Sequence, residues 1–291
     1  MAQSAKHVAA VTGAASGIGR ALALELARRG SALALADVDE KGLAETAAAA
    51  EARGSSVTTA TVDVGDRERM NAWARSVIAD HGRVDLVVNN AGVAQSGSVQ
   101  GNDLADYEWV MSVNFWGVVN GTKAFLPILR EAGRGHIVNV ASIFGVFAQP
   151  GMSCYNASKF AVRGFTESLR QELDLTRCGV SATCVIPGGV RTNIAESARM
   201  SPSLADLYGG PVDESRLRRD FLERLARTTP EAAARTILAG VDRNARRVLI
   251  GADAKLADLM QRLMPSLYQR LVVAAMARMR RRVAAPGRAV E

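Results

Sequence analysis

Short apolar runs alternate along this chain with longer segments whose apolar positions recur every three to four residues. His7 to Thr12 is the first run and ends in Thr-Gly. Arg20 to Arg29 has helical composition and closes at Gly30, a residue that ends helices because it turns left-handed without strain. Ser31 to Ala36 is the second run and ends in Asp37. Glu40 to Arg53 is Ala-rich and stopped by Gly54; Ser56 to Val62 is β-branched and ends at Asp63. Arg67 to His81 reads as a helix, and Val84 to Val88 leads into Asn89-Asn90-Ala91-Gly92. Runs that are apolar without alternation suit strands buried on both faces, as in parallel sheets. The order β-α-β-α-β-α-β, with right-handed crossovers, predicts a doubly wound α/β sheet.

The second half continues the alternation. Asp103 to Arg130 reads as helical, in one segment or two, with Asn114 inside. Gly135 to Ala141 is a strand leading to Ser142, and Ser153 to Arg177 a long helix. Val180 to Ile186 is a strand stopped by Pro187-Gly188-Gly189. Residues 190–228 are polar and weakly periodic, with Gly209-Gly210-Pro211 in the middle. An insertion of that kind beyond a strand's C-terminal end predicts a substrate lid. Glu231 to Arg243 is helical behind Pro230, and Arg247 to Ile250 is a last strand. With no internal repeat and no low-complexity linker, residues 1–253 read as one domain and 254–291 as a helical C-terminal extension.

Composition narrows the class. Apolar residues make up 48% of the 291, ample for a core, while aromatics are only 5%, which suits helices packed closely on a sheet. The formal net charge of +7 is uneven: residues 254–291 hold eight Lys and Arg against Asp258 and Glu291. The body is thus nearly neutral, and its charge does not point to nucleic acid. No uncharged apolar stretch approaches the ~20 residues of a membrane span. Met1 to His7 runs straight into a strand, which leaves no place for a signal peptide. Cys154, Cys178 and Cys184 have no metal-ligand spacing and read as reduced thiols of a cytoplasmic protein. No His stands near Cys154 in sequence, so it reads as a packing residue and not a nucleophile.

Candidate chemistry gathers in two stretches. Tyr155 and Lys159 stand four apart, one helical turn, so phenol and ammonium share a face. A phenol at pKa ~10 is a poor proton exchanger at neutral pH, and a neighbouring ammonium is expected to lower it. Ser142 ends its strand within reach of the same site. At the other end Gly13, Gly17 and Gly19, with Ser16 and Ile18 between them, form a Gly-rich turn from the first strand into a helix. Such a turn lets backbone amides approach a pyrophosphate at the helix N-terminus. Asp37, ending the second strand eighteen residues past Gly19, stands where a ribose-binding carboxylate is expected. It would repel a 2′-phosphate, and no Lys or Arg replaces Ser16 or immediately follows Asp37, so NAD is favoured over NADP. Asp63 ends the third strand in the same way, toward the adenine edge.

Taken together in this order, Thr12-Gly13-x-x-x-Gly17-x-Gly19, Asp63-Val64, Asn89-Asn90-Ala91-Gly92, Asn114, Ser142, Tyr155-x-x-x-Lys159 and Pro187-Gly188-x-Val190-x-Thr192 resemble the motifs of the short-chain dehydrogenase/reductase family over about residues 5–251. The resemblance implies a Rossmann fold and an NAD-dependent oxidoreductase that interconverts an alcohol and its ketone or aldehyde. It implies that Tyr155 is the general acid/base, that Lys159 lowers its pKa and holds the nicotinamide ribose, and that Ser142 binds the substrate oxygen. Asn114 would hold a water relaying protons to Lys159. Asn90 and Gly92 would line the adenosine-ribose and diphosphate side, and Pro187, Gly188, Val190 and Thr192 would fix the nicotinamide. The Asn89–Gly92 stretch is also expected to tie strands together. The family commonly forms homodimers or homotetramers through its two long central helices, here near 103–130 and 153–177. A non-catalytic dinucleotide sensor on the same fold is the rival reading, and the intact Asn114, Ser142, Tyr155 and Lys159 count against it.

Two features lie outside those motifs. Phe144, Val146, Phe147 and Met152, with Ile194, Met200, Leu204, Leu207 and Tyr208 of the lid, predict apolar walls and an apolar alcohol substrate. In the extension, apolar residues from Leu256 to Val283 form a stripe at three- and four-residue steps, interrupted by Pro265, and Arg262, Arg270, Arg278, Arg281 and Arg282 make its polar content basic. Two helices are expected there. The stripe reads as packing on its own domain or a sister subunit, or as peripheral contact with an anionic membrane. Nucleic acid is not indicated, since no recognition motif accompanies the charge.

Overall fold

A computed structural model describes residues 7–220, 222–223 and 226–284, without the side chains of Met279 and of 281–284. The reading of Met1 to Lys6, the side chains of Arg281, Arg282 and Val283 in the stripe, and residues 285–291 of the extension lie outside the described residues.

The core is a seven-stranded parallel sheet. Its strands are β1 (Val8–Thr12), β2 (Ala32–Asp37), β3 (Val57–Thr61), β4 (Leu86–Asn89), β6 (Gly135–Val140), β7 (Val180–Pro187) and β9 (Arg247–Ile250), in spatial order β3-β2-β1-β4-β6-β7-β9. The order reverses between β1 and β4, which opens a crevice at the carboxyl ends of those strands. Helices α1 (Gly17–Arg28), α2 (Glu40–Glu51) and α9 (Pro230–Asp242) cover one face. Helices α3 (Arg67–His81), α4 (Leu104–Met111), α5 (Gly117–Glu131) and α6 (Ser153–Thr176) cover the other. Residues alternating along each strand divide between the two faces: Val11, Leu33, Leu35 and Val88 pack with α1 and α9, and Ala10, Ala34, Val87 and Ile137 pack with Trp73 and Phe125. Buried Asp85 laces the central strands at their other end, accepting from Val8 N at 3.0 Å while its own carbonyl accepts from His136 N at 2.9 Å.

Three local features refine the sequence reading. The long helix expected over 103–130 is broken by a π-helical turn, Ser112–Trp116, with Asn114 at its middle and fully buried. Such widened turns insert one residue into the helical ladder and re-aim the side chain they carry. The lid is less irregular than its composition suggests. A two-residue strand β8 (Arg199–Met200) pairs with β5 (Gln95–Ser96), and two short helices, α7 (Leu204–Tyr208) and α8 (Glu214–Asp220), follow. Arg199 also stacks 3.6 Å from the Trp109 ring centroid, and Ser203 Oγ accepts from Ser98 N at 3.0 Å, so residues 199–203 are tied to the body.

The C-terminal region forms α10 (Ala252–Leu263) and α11 (Leu267–Ala284), with the break at Pro265. Helix α10 starts at Ala252, so the boundary expected at 253/254 falls inside its first turn. It turns Ala254, Ala257 and Asp258 inward, while Leu256, Leu259 and Leu263 stand 66%, 53% and 71% exposed. Packing of this stripe on its own domain is therefore not what the structure adopts for those leucines. The small alanines fit against the body and the larger leucines face out. Among the described residues no helix is long and apolar enough to cross a membrane.

Candidate active site

The residues singled out in sequence lie beyond the carboxyl ends of the sheet strands or at the starts of the elements that follow. The turn from β1 to α1 is packed backbone to backbone. Gly13 and Gly17 have φ of +65° and +53°, and a Cβ on Gly19 would stand 2.0 Å from Gly13 O. Asn90 braces this turn, donating from Nδ2 to Thr12 O at 3.0 Å and Gly13 O at 3.1 Å. Thr12 Oγ1 in return accepts from Asn90 N at 3.0 Å and Ala91 N at 3.2 Å. The side chain of Asn90, a residue expected to line the cleft, shapes the turn. Neighbouring Asn89 bears out the strand-tying reading: its Nδ2 donates to Asn139 Oδ1 at 2.8 Å, and Asn139 donates to Thr166 Oγ1 at 3.1 Å.

The N-terminus of α1 differs from those of α2, α3 and α9. Asp39 caps α2, Asp66 caps α3 and Thr229 caps α9, each with a side-chain hydrogen bond to first-turn amides. Ser16, at the head of α1, makes none, and the first turn holds no acid. Free amides at the positive end of a helix suit an anion such as a pyrophosphate. Ile18 packs half-buried against the core beneath. Asp37 is fixed beside the turn, Oδ2 accepting from Ala15 N at 2.9 Å and Oδ1 from Asp39 N at 3.1 Å. Asp63 Oδ1 accepts from Gly65 N at 2.9 Å, and Val64 is buried under Gly117, whose Cβ would meet Val64 Cγ2 at 2.5 Å. Asn120, which no motif marks in the sequence, holds this loop by donating to Val64 O at 3.0 Å.

Across the crevice, the turn after β7 is pinned from a distance. Gly188 N donates to Ile250 O at 2.9 Å, and Gly189 N donates to Asp253 Oδ2 at 2.6 Å. Asp253 was not legible as a site residue, because it lies in the first turn of α10, more than sixty residues away in sequence. Val190 is buried and pairs with Thr228, and Thr192 stands over the Gly-rich turn, 3.0 Å from where a Gly17 Cβ would be. The two turns facing the crevice are therefore each pinned by a side chain bonded to turn backbone, Asn90 on one and Asp253 on the other.

The proton-handling groups come together as the spacing predicts, but with different electrostatics. Tyr155, Lys159, Ser142 and Asn114 are all buried. Lys159 Nζ lies 5.6 Å from the Tyr155 ring centroid and donates to Val140 O at 3.1 Å. The ammonium thus sits over the ring face, and a backbone carbonyl takes its hydrogen bond. The shift of the Tyr155 phenol follows from burial and from Ser142, and Lys159 is not among its causes. Burial pushes the Tyr155 phenol up to about 12, with the Ser142 hydroxyl opposing, and burial pulls Lys159 down to about 8. Desolvation is the largest cause for both groups.

Asn114 is locked by the π-helical turn and by three bonds. Its Oδ1 accepts from Val93 N at 2.8 Å, and its Nδ2 donates to Val93 O and Ser158 Oγ, each at 3.0 Å. Ser158, which sequence reading passed over, is the link between Asn114 and α6. Gly92 is bare opposite them: a Cβ there would stand 3.1 Å from Asn114 Oδ1 and 3.4 Å from Lys159 Nζ. Ser142 Oγ accepts from Phe144 N at 3.2 Å, starting the 3₁₀ turn Ile143–Gly145.

The walls around Tyr155 are apolar. Ala94, Ala198, Phe144, Met152 and Ile194 pack with it, and the Phe144 ring meets Tyr155 edge-on at 6.0 Å. Val146, expected in this wall, is buried instead in the core beneath α6, because its side chain follows the 3₁₀ turn inward. Phe147 faces Tyr268 of α11, ring centroids 6.0 Å apart, and Tyr268 Oη accepts from Ala148 N at 3.3 Å. Helix α11 therefore reaches back to the wall, which its stripe pattern did not foretell. Leu204 and Leu207 of the lid flank Gly151. Cys154 is buried against Asn102 Nδ2 at 3.3 Å with its pKa raised by burial, as a packing residue would be.

Comparison with known proteins agrees with this arrangement. Residues 7–202 match the family model described as short chain dehydrogenase. The chain is 49% identical over 271 residues to the oxidoreductase SadH of Mycobacterium tuberculosis, covering 93% of this chain and 95% of that one. It is 38% identical over 201 residues to human estradiol 17-beta-dehydrogenase 11, covering 68% of this chain and 67% of the relative. Among solved structures, a short-chain dehydrogenase/reductase from Burkholderia phymatum in complex with NAD superposes with a TM-score of 0.83 at 30% identity, covering 92% of this chain and 97% of that chain. With the fold, the motif order and near full-length similarity all pointing the same way, this chain belongs to the short-chain dehydrogenase/reductase family of oxidoreductases.

Proposed function

We propose that this protein is an NAD(H)-dependent dehydrogenase/reductase that interconverts an apolar alcohol, secondary by preference, and its ketone or aldehyde. The observation that carries this reading is a buried Tyr155 beside Ser142 and Lys159, walled by Ala94, Phe144, Met152, Ile194 and Ala198. The residues present fit a dinucleotide: the uncapped head of α1 suits the diphosphate, Asp37 the adenosine ribose, and the Pro187–Thr192 turn the nicotinamide side. A negative Asp37 held by two amides favours ribose hydroxyls over a 2′-phosphate, hence NAD over NADP. Similarity to a protein named estradiol 17-beta-dehydrogenase 11 supports a secondary alcohol on an apolar frame.

The bound nicotinamide supplies or accepts the hydride. The chain supplies the proton and the orientation. In reduction, the Tyr155 phenol gives its proton to the carbonyl oxygen while the Ser142 hydroxyl donates to the same oxygen and stabilises its developing charge. In oxidation the same phenolate takes the alcohol proton. A phenol at about 12 is scarcely ionised at neutral pH, so forming the phenolate needs a second positive charge at the site beside Lys159, which an oxidised nicotinamide would supply. Asn114 holds the relay water that returns the proton by way of Lys159. The exposed Trp116 of the π-helical turn and Phe160 of α6 suit a homodimer or homotetramer built on the two long helices. Three free thiols suit a cytoplasmic setting.

The test is NADH formation across a panel of apolar secondary alcohols, with NAD and with NADP, and with Tyr155→Phe as control. Turnover with NAD that vanishes in the variant supports the assignment. Tight NAD binding with no turnover on any alcohol would make the protein a dinucleotide sensor.

A further inference from the structure

We propose that helices α10 and α11 form a docking surface for an anionic lipid bilayer. Leu256, Leu259 and Leu263 recur at three- and four-residue steps on α10, directly opposite the buried Ala254 and Ala257. On α11, Leu267 and Leu271 are likewise exposed, at 47% and 50%. Five exposed leucines on two consecutive helices exceed the scatter of single apolar residues on an ordinary surface.

Charge selects the occupant. Lys255, Arg262, Arg270 and Arg278 stand on the same two helices, and Asp258 is the only acid from residue 254 to 284. Asp258 is buried and bound to Arg247 at 2.7 Å and Arg262 at 3.0 Å, so it cannot meet a partner. A second copy laid on this face would set arginines against arginines. An anionic bilayer offers phosphates to the basic side chains and acyl chains to the leucines, the arrangement of an interfacial amphipathic helix. No described helix is long and apolar enough to cross, so the pair is proposed to lie on the surface.

The location gives docking a consequence. The same α11 sends Tyr268 to the wall of the active site and packs on the lid helix α7. The docked helix thus adjoins the Phe147 side of the substrate wall, which offers an apolar alcohol a short route from the bilayer toward Tyr155. This route rests on the function proposed above; the docking does not.

The experiment is co-sedimentation of the full chain with phosphatidylcholine vesicles, with and without phosphatidylglycerol. The comparison variants are Leu256→Gln/Leu259→Gln/Leu263→Gln and Lys255→Gln/Arg270→Gln. All the altered side chains point outward, and circular dichroism and melting serve as fold controls. The expected result is pelleting with the anionic vesicles, at least about tenfold weaker in each variant and at high salt. Equal pelleting with neutral vesicles, or of wild type and the leucine variant, would overturn the proposal. So would a wild type that stays in solution while light scattering shows an oligomer that the leucine variant dissolves, the signature of a second copy on this face. None of these readouts depends on turnover.

Discussion

The two sides of the crevice are built by different means. The dinucleotide side is made of backbone: Gly13 and Gly17 in left-handed turns, Gly19 against a carbonyl, and amides at the head of α1, all within a few residues of one another. The substrate side is made of side chains brought from far apart: Phe144 after β6, Met152 before α6, Ile194 and Ala198 in the lid, and, behind Phe147, Tyr268 of α11. A turn whose shape depends on which residues lack a Cβ is set locally. A wall depends on how three distant segments pack. The difference predicts that changes on one side will leave the other largely untouched.

Four substitutions would break or sharpen that comparison. Tyr155→Phe removes the proton at the junction of the two sides. Turnover should fall at least ~100-fold while NAD binding, followed by fluorescence titration, stays near the wild-type value. Near-normal turnover would remove Tyr155 from the mechanism. Next in size is Lys159→Met. Burial pulls the pKa of Lys159 from 10.5 down to about 8, so keeping it charged in the folded chain costs ~3 kcal/mol where both folded and unfolded chains are protonated. That cost is present in full below pH 8 and is relieved as pH rises from 8 toward 10.5, because the unfolded state then binds more protons. Tyr155 acts oppositely, but only from its ordinary value near 10 up to about 12. Urea melts should therefore show wild-type stability rising between about pH 8 and 10. The Met variant should be more stable at pH 7 and lack that rise.

Asp37→Ser tests the backbone side alone. The ratio of NADP to NAD efficiency should rise at least ~10-fold, with substrate preference unchanged. An unmoved ratio would show that the carboxylate does not read the ribose. Tyr268→Ala tests the side-chain side alone and is the smallest effect in kinetics. KM for bulky apolar alcohols should change several-fold while KM for NAD holds, and melting should fall because a buried ring is lost. A change in NAD affinity in that variant would mean the two sides are coupled through α11.

How legible each side was follows from the same distinction. The Gly-rich turn, Asp37, Tyr155, Lys159 and Ser142 could be named because their spacing is local and their positions relative to strand ends are fixed by the β-α alternation. Asn120, Ser158 and Asp253 could not be named. Each acts through side-chain hydrogen bonding to a segment 40 or more residues away, from Asn120 to Val64 and Gly65, between Ser158 and Asn114, and from Asp253 to Gly189. Nothing in their neighbours distinguishes them from any helix polar residue. Asn90 could be placed at the cleft; that its side chain also holds the turn, through Thr12 and Gly13, could not be read from the spacing. Val146 followed the apolar pattern of its neighbours, but the 3₁₀ turn carried it into the core.

The sequence by itself determined the alternation of buried strands and helices, the crossover topology and the glycine positions, because periodicity and the absence of a Cβ act over a few residues. Only the tertiary structure decided three further things. It placed the Lys159 ammonium over the Tyr155 ring, so that burial and not charge governs both groups. It wound the helix at Asn114 into a π-helical turn. And it turned the alanines of α10 inward and its leucines outward. Each depends on what packs opposite a residue and on how much water that packing removes, and the neighbours along the chain do not encode it.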